Sequence, residues 1–275
     1  MATSSEGSDA FRAFEHDAWE RASSGYHSHW EHLTTQIVPA ILKAGEVGPL
    51  TVLLDVACGP GYVAGLSARL GAVASGIDLS GEMVRLAAQN YPQARFQTGD
   101  AQDLPFEDAR FDVVTINFGV MHFPEPEAGL ADAMRVLKPG GRLVFTSWAQ
   151  PENSAIGFAM DAVARFGTTD VDLPAGPPFF RFGPEEECAR VAGELGFEDC
   201  RHERHLLYWT LPAPDALMDA LREATARASA LLNAQRPEDL PAIRAAMVER
   251  CAPFVRDGKA MVPMPATLCV AQKPA

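Results

Sequence analysis

The chain of 275 residues predicts an α/β fold built on a doubly wound, Rossmann-like parallel sheet, and three observations carry that expectation. Residues 52–64 read Val-Leu-Leu-Asp-Val-Ala-Cys-Gly-Pro-Gly-Tyr-Val-Ala, an apolar strand that ends in a glycine turn and opens a helix. Strand-like runs near Val52, Val73, Phe96, Val113 and Leu143 alternate with helical runs near Ala64, Glu82 and Ala131, the order that builds a parallel sheet with crossover helices. Acids close the first two strands, Asp55 and Asp78, at the carboxyl edge where ligands of open α/β sheets bind.

The elements follow in order. Residues 17–43 read as one or two helices ahead of the sheet, and 51–148 as the ligand-binding core. After Trp148 the chain is irregular and proline-rich to Pro184, helical to Gly196, and strand-like again over 204–211. Leu217, Leu221, Ala224, Ala228, Leu231 and Leu232 give residues 215–256 a helical apolar face ahead of a last strand over 266–271. These helices carry too few apolar residues for a core of their own. They read as an insertion in the substrate-side half, 149–275, of a single domain spanning 1–275. The insertion is expected to act as a lid over the acceptor; a homodimer interface is the alternative use of its apolar face.

The glycine turn is a binding device. Gly59-x-Gly61-x-x-Ala64 fits a relaxed dinucleotide fingerprint, so its spacing leaves both NAD and S-adenosylmethionine open. A carboxylate at Asp55 would repel a pyrophosphate but pair with the ammonium of a methionyl group, which favours S-adenosylmethionine. Asp78, about 20 residues after the turn, is placed to chelate ribose hydroxyls.

Further along stand Phe96-Gln97-Thr98-Gly99-Asp100-Ala101-Gln102-Asp103-Leu104-Pro105-Phe106, then Phe111-Asp112-Val113-Val114 leading to Asn117-Phe118, then Arg135-Val136-Leu137-Lys138-Pro139-Gly140-Gly141. With the glycine turn, and in this order from Val52 to Trp148, these motifs resemble the class I S-adenosylmethionine-dependent methyltransferases, in particular those similar to the ubiquinone/menaquinone C-methyltransferases. The resemblance implies a sheet of seven strands, Asp100 accepting a hydrogen bond from the adenine amino group, the Ala101 backbone meeting the ring, and Asn117 beneath the methionyl group. Ala57, Gly59, Gly61, Leu79, Met83 and Phe118 complete the donor site that it implies, with residues 17–43 folded over it as an N-terminal lid.

Methyl transfer needs a nucleophile held in line with the methyl group and water excluded. The expected activity is transfer from S-adenosylmethionine to a carbon, oxygen or nitrogen of a small-molecule acceptor. The alternatives are an S-adenosylmethionine-binding regulator or partner subunit without chemistry and, behind it, an NAD-dependent oxidoreductase, for which no hydride-transfer residue set is legible. His122, just after the fourth strand, is the candidate base, set against a structural role in the pocket wall. Tyr26 is the candidate aromatic contact to sulfonium or substrate, set against anchoring of its helix. Trp148, Phe179 and Phe180 are candidate walls of the acceptor pocket, and Arg181 a candidate for an acidic acceptor.

Composition narrows the partners. The formal net charge is −13, with no cluster of basic residues interleaved with aromatics, which argues against nucleic acid or a membrane surface as partner. No secretory signal or bilayer-spanning run is legible, so a cytoplasmic location is expected. The five cysteines show no paired spacing, and neither His29/His32 nor His202/His205 sits in a metal-binding set, so reduced thiols and no metal are expected. Cys58 reads as a small residue filling the turn.

Overall fold

A computed structural model of the chain describes residues 4–275. Helix α1 (Ser4–Thr34) and a single 3-10 turn lead into α2 (Val38–Ala44). The alternating core follows as β1 (Val52–Val56), α3 (Tyr62–Arg69), β2 (Val73–Asp78), α4 (Gly81–Asn90), β3 (Arg95–Thr98), β4 (Phe111–Ile116), α5 (Pro126–Val136) and β5 (Leu137–Trp148). Then come α6 (Ala155–Phe166), α7 (Glu185–Glu194), β6 (Glu198–Leu211), α8 (Ala216–Ala224), α9 (Arg227–Asn233), α10 (Leu240–Cys251), β7 (Val255–Arg256) and β8 (Lys259–Gln272).

The sheet runs β3-β2-β1-β4-β5-β8-β6, seven strands in line, with two-residue β7 joined to β8. β1 to β5 are parallel, and β8 is antiparallel to both β5 and β6. The order reverses between β1 and β4, which splays their following turns apart and opens a crevice at the carboxyl edge. Alternation along β1 sends Leu54 and Val56 into the main core with Val114 and Ile116, and Leu53 to the opposite face with Ala64, Ala74 and Val113. Leu217, Leu221, Leu232, Ile243 and Met247 of the insertion are fully buried in that same main core. Its apolar face is thus covered from within the chain, which leaves little of it for a second copy.

Four elements differ from expectation. α1 begins 13 residues before the expected start at residue 17, because a buried apolar stripe on one helical face, Phe11, Ala18, Ala22, Trp30 and Leu33, reaches back into its first half. α6 was not expected within the proline-rich stretch; Ser154 caps it, its hydroxyl accepting from Gly157 N at 3.1 Å, and Ile156, Phe158, Ala159 and Val163 are buried. β6 starts at Glu198, where Asp199 adopts a positive φ and the register with β8 shifts. β8 starts at Lys259, seven residues before the expected 266, after a tight Asp257-Gly258 turn with both φ angles positive, 50° and 78°. Pro263 and Pro265 are tolerated because there β8 pairs with β6 alone.

The five cysteines are free thiols, but two are neighbours: Cys200 Sγ on β6 lies 3.4 Å from Cys269 Sγ on β8. Among the described residues no helix is long and apolar enough to cross a membrane, and no group of histidine, cysteine and carboxylate side chains is arranged to hold a metal.

Candidate functional site

The carboxyl ends of β1, β2, β4 and β5 open into a cavity of about 1140 Å³, roofed by α1, α6, the loop near residues 169–175 and the insertion. Its floor is built by backbone that side chains seldom adopt. Ala57 after β1 and Phe118 after β4 both have φ of 53°, a left-handed conformation costly for non-glycine residues and found where function over-determines it. The Phe118 N–H donates to Thr146 Oγ1 and that hydroxyl donates to Asn117 Oδ1, both at 2.8 Å, so β5 holds the turn after β4. Gly61, a donor-site candidate, lies outside the cavity wall and caps α3 with φ of 86°; a Cβ there would stand 2.8 Å from Phe96 Cζ and 2.9 Å from Ala87 Cβ.

Asp78 ends β2 at the cavity wall. Its Oδ2 accepts from Gly59 N at 2.8 Å and its Oδ1 from Ser80 N at 2.9 Å, so one carboxylate ties the glycine turn to the start of α4. Burial pushes its pKa up, and the two N–H donors oppose that shift. Leu79, Met83 and Asn117 stand in the same wall, as do Ala57 and Gly59. Asp100 and Ala101 extend it beyond β3, where Asp100 Oδ1 accepts from Gln102 N at 2.9 Å and Oδ2 lies 3.0 Å from Arg12 Nε.

Asp55 is placed differently from expectation. It is 1% exposed and lies beneath the turn, outside the cavity wall, with Oδ1 accepting from Thr115 Oγ1 at 2.8 Å and Oδ2 from Ala64 N at 3.2 Å. Burial raises its pKa to about 7 against those donors, so its carboxyl braces β1, β4 and α3 rather than presenting a fixed charge to a ligand. Cys58 fills the turn as expected. Burial, and then the charges of Asp78 and Asp55, push its thiol up, which is unfavourable for a nucleophile.

The aromatic residues converge. Tyr26 stacks parallel on Trp30 at 6.1 Å and meets the edge of Trp19 at 5.4 Å, while Phe118 stacks on Trp148 at 3.9 Å. All five, with Phe179, line the cavity. Removal from water pushes the Tyr26 phenol up to about 12, a hydrogen bond with Thr34 opposes the shift and Asp78 adds to it, so Tyr26 stays neutral. His122 ends a 3-10 turn after β4, with Nδ1 3.0 Å from Glu15 Oε2.

Two expected acceptor contacts fall outside the wall. Phe180 packs edge-on against Phe179 at 5.1 Å, behind it. Arg181 is committed to carboxylates: its Nε donates to Glu187 Oε1 at 2.7 Å and its terminal nitrogens grip Glu127. It is therefore a brace between α5 and α7, because a guanidinium already holding two carboxylates has little left for an acidic acceptor.

Other wall residues were not anticipated: Arg12, Glu15 and Trp19 of α1, Ile156 and Met160 of α6, Arg227 of α9 and Arg250 of α10. Glu15 carried a legible signal, an acid set four residues after Phe11 and three before Ala18 in an apolar stripe. The others reach the cavity through long-range packing that local spacing does not encode.

Residues 54–145 match a family described as a methyltransferase domain. A demethylmenaquinone methyltransferase of Streptomyces avermitilis is 37% identical over 111 residues, covering 40% of this chain and 48% of that protein. One from Chlorobaculum parvum is 44% identical over 90 residues, 32% and 37% of the two chains. The chain thus spans about half or less of the curated relatives it matches. Among solved structures, a Haemonchus contortus phosphoethanolamine N-methyltransferase, solved with phosphomonomethylethanolamine and S-adenosylhomocysteine, superposes with a TM-score of 0.59 over 96% of this chain and 60% of that one. At 18% identity this is a likeness of fold. Over residues 54–145 the chain is thus similar to the methyltransferase domain family, and the similarity to the demethylmenaquinone methyltransferases spans 40% of the chain or less in these two cases.

Proposed function

We propose that the chain transfers a methyl group from S-adenosylmethionine to a small-molecule acceptor. The observation that carries this reading is the wall in which Asp78, Asp100 and Asn117 stand together around the glycine turn, the residues that the family motifs assign to ribose, adenine and methionyl group. The residues fit the cofactor. Each Asp78 oxygen accepts one backbone N–H and keeps a lone pair for a vicinal diol. When bound, S-adenosylmethionine supplies an activated methyl group on a sulfonium cation. Tyr26, Trp19, Trp30 and Trp148 give the site aromatic faces that attract a cation and exclude water.

The acceptor occupies the remainder of the cavity, where Ile156, Met160, Leu173, Leu231 and Phe179 give largely apolar walls. His122 acts there as general base. The insertion is a lid, since Ala224, Ala228, Leu231 and Arg250 all line the chamber, and it tunes which acceptor is taken. Turnover over a panel of phenols, carboxylic acids, amines and activated methylenes, read as release of S-adenosylhomocysteine, tests this reading. Release that depends on one acceptor class supports it; tight donor binding with no release across the panel supports the regulator instead.

A further inference from the structure

We infer that Glu15 is the positioning residue of this site: it fixes His122 with Nδ1 protonated and Nε2 free to take a proton, so the acceptor is one whose nucleophilic atom loses a proton on methylation. This inference rests on the methyltransferase reading and names the substrate class within it: a phenol, a carboxylic acid, a primary or secondary amine or an acidic carbon, as against a thioether or a tertiary amine.

The geometry starts from an acid in an expensive place. The Glu15 side chain is 2% exposed, on the buried stripe of α1. Its Oε2 accepts from Trp19 Nε1 at 3.0 Å and lies 3.0 Å from His122 Nδ1. Its Oε1 is buried with no hydrogen-bond partner among the described residues, and the residue lines the cavity. A buried carboxylate oxygen left unpaired is destabilising, and such exceptions mark either strain or a function. An ionised carboxylate only accepts, so Nδ1 must donate, and in the neutral ring Nε2 then carries the lone pair.

The ring has little freedom to turn. Trp19 meets it edge-on at 5.1 Å and 89°, and Phe179 at 5.9 Å and 74°. Both neighbours are cavity walls, so Nε2 is the nitrogen left to the acceptor. The proton balance closes with these two residues. As the acceptor's electron pair forms the bond to the methyl carbon, the carbon–sulfur bond breaks with its pair going to sulfur, and the acceptor's proton passes to Nε2. The positive charge lost at sulfur reappears on the imidazolium, beside the Glu15 carboxylate. Because Glu15 belongs to α1 and His122 to the turn after β4, the pair exists only while α1 lies across the site.

Nitrogen-15 NMR of the histidine rings at alkaline pH, with S-adenosylhomocysteine added as the probe, tests the assignment. His122→Gln identifies the His122 signals, and wild type is compared with Glu15→Gln and Glu15→Leu. Glu15→Gln keeps the shape of the side chain, so it serves if the leucine variant does not fold. The expected result is the Nδ1–H form in wild type and a shift towards Nε2–H in the variants. With an acceptor found in the panel, the variants should lose about tenfold or more in kcat while KM for the donor stays within about threefold. An Nε2–H ring in wild type, a tautomer unmoved in both variants, or unchanged turnover overturns the role of Glu15. Failure of wild type to bind S-adenosylhomocysteine instead sinks the methyltransferase reading, while the tautomer result still stands.

Discussion

Asp78→Asn separates the two tasks of the residue at the end of β2. In wild type its carboxylate holds Gly59 N at 2.8 Å and Ser80 N at 2.9 Å, leaving one lone pair per oxygen towards the cavity. An amide has a single acceptor oxygen, so one of those N–H groups comes to face an NH2 and one ribose contact is lost. A hydrogen bond to a charged group contributes about 1.5–3 kcal/mol, so donor affinity should fall roughly ten- to a hundredfold. Stability should fall less, by about 1–2 kcal/mol, because the neutral amide also relieves the burial that raises the Asp78 pKa. Calorimetric titration with S-adenosylhomocysteine gives the first quantity and urea unfolding the second. Ser80→Ala is the control: it removes the hydroxyl that caps α4 through Met83 N at 3.2 Å, costing about 1 kcal/mol of stability, but leaves the carboxylate in place. A dissociation constant for Asp78→Asn within about threefold of wild type would refute the ribose assignment.

Three further outcomes follow from the same geometry. Asp55 has its pKa raised by burial to about 7, so its contribution favours the fold below about pH 4 and is lost as pH rises towards 7; Asp55→Asn should gain on wild type in thermal stability between about pH 5 and 8, by up to about 4 kcal/mol. Parallel stability curves over that range would show that Asp55 is charged throughout. Gly61→Ala meets Phe96 and Ala87 at under 3 Å in a left-handed conformation, so urea unfolding should show a loss of about 2–3 kcal/mol, and an unaltered midpoint would contradict the described turn. Arg181→Ala should cost about 1 kcal/mol of stability by freeing Glu127 and Glu187, yet leave acceptor kinetics unchanged; a raised KM confined to acidic acceptors would return Arg181 to the site.

The core strands were legible because each joins a short apolar run to punctuation that only a turn explains, as at Asp55-Val56-Ala57-Cys58-Gly59 and Phe111 to Asn117. Both acids at strand ends were visible, but their roles divided on a matter of depth. Asp55 points under the turn and Asp78 into the cavity, and a strand pattern fixes the face of a side chain, not whether the next turn covers it. Asp78, Asp100 and Asn117 were read from motifs and stand in the cavity wall; the acceptor candidates were read from position alone, and of these Phe180 and Arg181 lie outside it. Phe179 and Arg181 sit two residues apart in an irregular loop, where no period tells which side chain faces in. α6 was hidden by the prolines around it, although Ser154 and the spacing of Ile156, Ala159 and Val163 signalled a capped amphipathic helix. The strand extension at Lys259 had its signal in Asp257-Gly258, the two-residue turn of a tight hairpin.

Parallel calorimetric titrations with S-adenosylmethionine and NAD decide which cofactor the cavity is built for. The two share adenine and ribose, so the roles proposed for Asp78 and Asp100 would serve either, and what distinguishes them is whether the rest of the wall takes a sulfonium beside Tyr26 and Trp148 or a pyrophosphate over the glycine turn. The expected result is saturable one-to-one binding of S-adenosylmethionine, at least a hundredfold tighter than that of NAD, roughly 2.7 kcal/mol in binding free energy. Binding of NAD as tight as that of S-adenosylmethionine, or no binding of S-adenosylmethionine, would contradict it.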